Sequence, residues 1–196
     1  MINNSKITTK TYPEQIAGLM PNDSNIEFGG RKNTMETYWI QNGKNHQWNE
    51  LPRWAYKICE KYFLTDKKAV SYFNDFDVSL NRKVEMYIYH LYGDLDATAD
   101  ILSGKIQPSE NYRHAQDCVS IDWDNKRITI DGVPLTKRDL RIIDLTKEGY
   151  PDKAIAAKLG ITQSTLDFHK RNLFTKANIQ CKIELIIKVF QQRISL

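Results

Sequence analysis

Three groups of side chains in this sequence have the residue types and spacing to do chemistry. His114 and Cys118 stand four residues apart, as two metal ligands on one helix turn do, but no second pair with ligand spacing accompanies them. Asp94, Asp96, Thr98 and Asp100 alternate like the start of a calcium loop, yet Ala99 falls where glycine is needed and Lys105 where the closing glutamate belongs. A capped, solvated helix start accounts for these acids. His169 has the chemistry of a general base, but no Ser, Cys or acidic nucleophile is arranged with it. Cys59, Cys118 and Cys181 are odd in number and widely spaced, so neither a disulfide framework nor a CxxC metal knuckle follows, and reduced thiols are expected. These residues predict no metal, no cofactor and no enzyme.

The stretch Ile155-Ala156-Ala157-Lys158-Leu159-Gly160-Ile161-Thr162-Gln163-Ser164-Thr165-Leu166 has the form of a helix-turn-helix. Ala156 is small where two helices cross closely, and Gly160 sits where the tight turn needs a positive φ. Ile155, Leu159, Ile161 and Leu166 supply the apolar contacts between the helices. Thr162 is the natural N-cap of the second helix, its hydroxyl accepting from an amide near Thr165, so that helix starts near Gln163. Such motifs lay the N-terminal part of their second helix in a DNA major groove.

The surrounding elements follow from periodicity. Residues 1 to about 45, with Pro13, Pro21 and the Gly29-Gly30 pair, sustain no period and are expected to be irregular. From Glu50, Leu51, Trp54, Ala55, Ile58, Cys59, Tyr62 and Phe63 recur at steps of three and four, the stripe of an amphipathic helix. Further helices are expected over 66–76 and 80–92, with a fourth from Asp96 to Ser103 stopped by Gly104. Lys105 to Gln116 is polar, contains Pro108 and is expected to be a linker or surface loop. Val119, Ile121, Trp123, Ile128 and Ile130 alternate with polar residues around Asp124-Asn125-Lys126, which predicts a β-hairpin. Helices over 136–148, 152–159, 163–176 and 180–193 complete the chain.

The chain's 196 residues suit two small domains. With 41% hydrophobic and 27% charged residues, the composition excludes collagen-like and wholly disordered chains. No apolar run is long enough to span a bilayer and the first ten residues lack a signal-peptide core, so a cytoplasmic location without membrane contact is expected. Charge is unevenly divided: residues 1–118 carry 14 Lys and Arg against 15 Asp and Glu, whereas residues 119–196 carry 14 against 9. Aromatics divide the other way, with 16 of 21 before Val119. An aromatic-cored first half and a cationic second half follow, the latter suited to a polyanion.

Leu135-Thr136-Lys137-Arg138-Asp139, Gly149, Ile155-Ala156, Leu159, Thr165-Leu166, His169, Asn172 and Lys176 together resemble the C-terminal DNA-binding domain of LuxR-type (GerE-type) bacterial transcription regulators over about 135–193. Two positions depart from that pattern. Asp139 replaces the usual glutamate in Thr-x-x-Glu, and Pro151 stands where a Ser or Thr caps the second helix, with Asp152 beside it to compensate. Periodicity in the first half and the resemblance over the second together predict a mainly α fold. An aromatic-rich helical N-terminal domain of unassigned role would span 1–117, a short β-hairpin linker 118–134, and a four-helix helix-turn-helix domain 135–196.

The resemblance further implies base contacts from Asp167, Phe168 and Arg171, with Gln163 and Ser164 at the helix entrance. Arg171 can hold a guanine bidentately and Asp167 can accept from cytosine N4. Lys153, Lys170 and Lys176 are candidates for phosphates, while Thr162, Thr165 and His169 contact the DNA backbone or pack the helix. Pairing of two chains through the last helix, with Ile183, Ile186, Ile187, Val189 and Phe190, would set two recognition helices in successive major-groove faces and recruit or block RNA polymerase.

Other readings stay open. A sigma-factor-like polymerase-binding region has a related motif, although His169 and the apolar helix after Gln180 argue against it. A winged-helix regulator shares the lead-in Ile128 to Leu135 but needs a C-terminal wing hairpin. A protein-interaction adaptor that has lost DNA would explain Asp167 and the modest charge. For the first half, the helical pattern argues against a phospho-receiver. A ligand pocket among Trp39, Trp48, Trp54, Tyr56, Tyr62, Tyr87 and Tyr89, a plain aromatic core, or a partner-binding or dimerising surface all fit.

Overall fold

The structure, a computed structural model, describes residues 15–194; residues 1–14, part of the stretch expected to be irregular, and residues 195–196 lie outside it. Within that stretch the expectation fails. Strands β1 (Glu27–Arg31), β2 (Glu36–Gln41) and β3 (Lys44–Gln47) form an antiparallel meander. Asn42 and Gly43, at φ 52° and 73°, make the two-residue turn between β2 and β3.

Helices α1 (Arg53–Thr65), α2 (Lys67–Asn74) and α3 (Leu80–Tyr92) follow as the periodicity predicts, and α3 packs on β1, β2 and α1. Their core is aromatic: Phe28, Trp39, Trp48, Phe63, Phe73, Tyr87, Tyr92 and Trp123 are all buried in one cluster. Phe63 and Phe73 meet edge to face with centroids 5.9 Å apart, and Tyr87 stacks on Trp123 at 5.4 Å. Of the seven aromatics proposed to line a pocket, Trp39, Trp48, Tyr87 and Tyr89 are buried, while Trp54 is 48% exposed.

Three further expectations are corrected. Residues 96–103 are not a helix: Ile101–Leu102 (β4) pairs with Lys105–Ile106 (β5), and Ile101 bridges back to Ile26 with amide-to-carbonyl bonds of 3.0 and 3.1 Å. The stretch from Lys105 to Gln116 is irregular after β5, as a loop should be, but it is no free linker, because Tyr112 and Arg113 within it are buried. Val119 to Trp123 form no strand. Val119–Asp122 is a 3-10 turn, Trp123 enters the aromatic core, and the amides of Asp124 and Asn125 donate to the buried carboxylate of Asp66 at 3.0 and 2.9 Å. The demand of Asp66 for donors overrides the alternating pattern, and the hairpin shrinks to Thr129–Ile130 (β6) with Val133–Pro134 (β7) around Asp131-Gly132.

Four helices close the chain: α4 (Lys137–Lys147), α5 (Asp152–Lys158), α6 (Gln163–Lys176) and α7 (Lys182–Gln191). They enclose a second, aliphatic core of Ile128, Ile130, Leu140, Ile142, Ile143, Ile155, Leu166, Leu173, Leu185, Val189 and Ile194. All four end in the same way. A residue at positive φ (Gly149, Gly160, Asn178 or Arg193) is followed by an apolar residue whose amide reaches back five positions, for example Ile161 to the Ala156 carbonyl at 3.0 Å and Ile179 to Phe174 at 2.8 Å. This Schellman arrangement satisfies terminal carbonyls and buries Ile179 and Ile194. Among the described residues no helix is long and apolar enough to cross a membrane.

The two cores are joined by a buried ion pair. Arg113 donates to both carboxylate oxygens of Asp144 on α4 at 2.9 and 2.7 Å, and also to the carbonyl of Ile194 beyond α7 at 2.7 Å. Asn111 adds bonds to the carbonyls of Thr129 and Gln192.

Candidate nucleic-acid interface

Helix α5 buries Ile155 and Ala156 and stops at Gly160, φ 64°, as the motif requires. After the turn, Thr162 Oγ1 accepts from the Thr165 amide at 3.2 Å, and the Ser164 and Thr165 hydroxyls gather on it at 2.9 and 2.8 Å. The first turn of α6 carries no acid, which suits the positive end of the helix to an anion.

The burial pattern gives α6 two faces. Leu166 and Leu173 are fully buried, whereas Gln163, Ser164, Asp167, Phe168 and Arg171 point to solvent, with Phe168 54% exposed beside the His169 ring. Thr165 and His169 lie half-buried on the flanks. Arg171 Nε reaches the Asp167 carbonyl at 3.4 Å. A shallow surface depression continues along Asp167, Arg171, Thr175 and Asn178, so the exposed row runs past the positions singled out in the sequence. The spacing of four from Asp167 to Arg171 to Thr175 was the available signal.

The cations around α6 are not equivalent. Lys170 Nζ binds both oxygens of Asp152 at 2.8 and 2.7 Å, and Lys176 is paired with Asp139 and the Pro134 carbonyl. Lys153 is exposed and has no ion-pair partner among the described residues. Asp139 also completes the capping box of α4 with Thr136. Burial works against ionising Asp139, but the bonds from Lys176 and Thr136 outweigh it and hold the carboxyl below its usual range. Neither internal pair was foreseen from spacing, since each joins residues of different helices.

Ile183, Ile187 and Phe190 form an apolar stripe along α7, exposed by 72%, 50% and 59%. Ile186 is half-buried, and Val189, counted above with this surface, is instead part of the core. The chemistry-bearing residues of the first half go elsewhere. His114 Nδ1 meets the Tyr89 hydroxyl at 2.6 Å, while Cys118 Sγ lies 3.1 Å from Ser120 Oγ and 3.5 Å from His90 Nδ1. Asp100 is buried and accepts from the Phe28 amide at 2.7 Å, so these acids do not form a solvated helix start.

Comparison with known proteins agrees with this geometry. The family described as bacterial regulatory proteins, luxR family, matches residues 133–189. The oxygen regulatory protein NreC of Staphylococcus epidermidis is 32% identical over 101 residues, covering 52% of this chain and 41% of that protein. The nitrate/nitrite response regulator protein NarL of Escherichia coli is 37% identical over 60 residues, covering 31% of this chain and 28% of the relative. Each match thus spans less than half of the curated relative. No solved structure matches the chain. Residues 133–189 are a helix-turn-helix domain of the LuxR family of bacterial regulatory proteins.

Proposed function

We propose that the chain is a cytoplasmic, sequence-specific DNA-binding transcription regulator that acts as a dimer through α6. One observation carries this reading: α6 is anchored by Leu166 and Leu173 while Gln163, Ser164, Asp167, Phe168 and Arg171 stand uncovered on its opposite face. Arg171 is the guanine reader, Phe168 packs on a thymine methyl and Asp167 accepts from a cytosine amine, each good contact discriminating by about 1–3 kcal/mol. Gln163 and Ser164 work at the groove entrance, and Thr162, Thr165 and His169 face the sugar-phosphate backbone. Lys153 supplies a phosphate contact directly. Lys170 and Lys176 reach phosphates by leaving Asp152 and Asp139.

The stripe Ile183, Ile187 and Phe190, flanked by Ile186, pairs with its copy and places half-sites about one helical turn apart. RNA polymerase is the partner through which a bound regulator acts. The first half supplies control, through a small-molecule or protein ligand.

A second reading, an adaptor that no longer binds DNA, is favoured by the internal neutralisation of Lys170 and Lys176 and by exposed Asp167. Titration of the full chain with mixed duplex DNA at several salt concentrations separates the two. A regulator loses affinity linearly on a logarithmic salt scale, with a slope of about 0.9 per phosphate contact. Binding that is absent, or indifferent to salt, supports the adaptor.

A further inference from the structure

The acids singled out between Asp94 and Asp100 converge in the fold on partners from distant parts of the chain. Glu27 on β1, Asp100 before β4 and Glu110 each contribute a carboxylate oxygen to one group, and these atoms lie within 4.8 Å of one another. Each carboxylate is aimed by a peptide amide on its other side. Glu27 Oε1 accepts from Asp96 N at 2.7 Å, Asp100 Oδ2 from Phe28 N at 2.7 Å and Glu110 Oε2 from Asp94 N at 3.2 Å.

A second observation points to a ligand. Glu27 Oε2 and Glu110 Oε1 are buried without any hydrogen-bond partner, and Glu27 as a residue is 0% exposed. Buried polar atoms are rarely left so, because an unpaired buried group costs about 1–3 kcal/mol and a charged one more. The nearby Lys126 does not answer them: its ammonium donates to the His90 and Leu91 carbonyls at 2.8 and 3.5 Å.

We propose that Glu27, Asp100 and Glu110 form a binding site for a hard divalent cation. The ligand set is all oxygen, which selects Ca²⁺, Mn²⁺ or Mg²⁺ over softer metals that prefer imidazole or thiolate. A cation held at about 2.3–2.6 Å from each of three oxygens needs them within about 4.0–4.5 Å of one another, so atoms lying within 4.8 Å close on a common ion with at most a small side-chain shift. Asp100 and Glu110 also line a cleft of about 340 Å³, together with Asp94, Asp96, Gln192 and Arg193. The cleft therefore opens along the seam between the two cores, where Arg193 pairs with Asp94 at 2.8 Å. Without a cation, burial pushes the Glu27 carboxyl up to about 8, with Asp96 and Asp94 adding to the repulsion, and raises Asp100 and Glu110 as well.

The test is thermal unfolding and calorimetric titration of the full chain with CaCl₂, MnCl₂ or MgCl₂ at pH 8. At least one cation is expected to raise the midpoint by several degrees and to saturate at one equivalent, releasing protons so that the heat depends on the buffer. Glu27→Gln should remove this response while leaving the metal-free midpoint equal or higher, because it relieves the repulsion of the neighbouring acids. Glu110→Gln, on the half-buried side, gives a second variant that tolerates the change. The exposed-acid control Asp77→Asn should respond as wild type does. The proposal is overturned if no cation gives a saturable shift up to about 10 mM, above the range of weak Ca²⁺ sites. It is equally overturned if the shift survives in Glu27→Gln and Glu110→Gln.

Discussion

Arg113 and Asp144 form a bidentate ion pair with side chains 0% and 3% exposed, each belonging to a different half of the molecule. Removing one partner of such a pair strands the other charge in the interior, so Asp144→Ala is expected to cost about 3–5 kcal/mol. The readout can localise the damage. All four tryptophans, Trp39, Trp48, Trp54 and Trp123, precede the second core, so their fluorescence follows the first half while far-ultraviolet dichroism follows both. The two transitions should coincide in wild type, and in Asp144→Ala the dichroism should change at lower denaturant. Coincident curves in the variant would show that the halves do not depend on this pair for their coupling.

The pairing of Asp152 with Lys170 makes an unusual prediction for an acid-to-neutral change. Asp152→Asn releases a half-buried ammonium next to the proposed DNA face, so duplex affinity should rise and the salt slope should steepen by about 0.9. The change in folding stability should stay near 1 kcal/mol, because Asp152 is partly exposed and the pair is screened. Unchanged salt dependence would place Lys170 out of reach of phosphates.

Arg171→Ala and Lys153→Ala should fail in different ways. The first should relax preference at one base pair by about 1–3 kcal/mol, and the second should weaken all sequences alike. Sequence selection from random duplexes with each variant reads the difference. If both select and bind as wild type does, α6 does not dock as described.

Phe190→Asp, or Ile187→Asp, places a charge in the exposed stripe of α7 without touching Leu185 or Val189 beneath it. Sedimentation should show a shift from dimer to monomer, with affinity for a two-half-site operator falling at least tenfold while melting temperature stays within a few degrees. A variant that still sediments as wild type would remove α7 from the interface.

His90 provides a pH signature. Burial, with the Lys126 ammonium adding repulsion, lowers its pKa from 6.5 to about 4, and the ring also faces Cys118 and His114. The fold therefore refuses a proton that the unfolded chain accepts between those values, so this residue's contribution is intact at neutral pH and lost as pH falls through that window. Between pH 7 and pH 5 the loss should amount to about 2 kcal/mol. Because the buried carboxyls act in the opposite sense, the measurement is the difference between wild type and His90→Gln. That difference should shrink on acidification, and a constant one would mean the imidazole titrates normally in the fold.

The second half was readable because its signals are local. Thr136 with Asp139, Thr162 with Thr165 and the positive φ at Gly160 are all settled within one turn of chain, and α6 begins and ends where the caps say. The first half was less readable for two reasons. Gly29 and Gly30 disguise β1, since they lie under the rings of Tyr38 and Tyr89, where a Cβ would fall within 2.4 and 2.5 Å. The Asn42-Gly43 turn is a legible signal for the β2–β3 hairpin, but the polar residues around it mask the strands it joins. By contrast, the capture of Asp124 and Asn125 by Asp66, and the meeting of Glu27 with Asp100 and Glu110, join residues far apart in sequence, and no local pattern encodes them.

The turn at Asn178 has a bearing on how a duplex would be met. With Thr162 closing one end of α6 and the Asn178 turn closing the other, the helix arrives fully formed and loses little freedom on contact. Adjustment then falls to the nucleic acid. Base steps that flex easily should be favoured even where no side chain reaches them, so part of the target's information would lie in its stiffness.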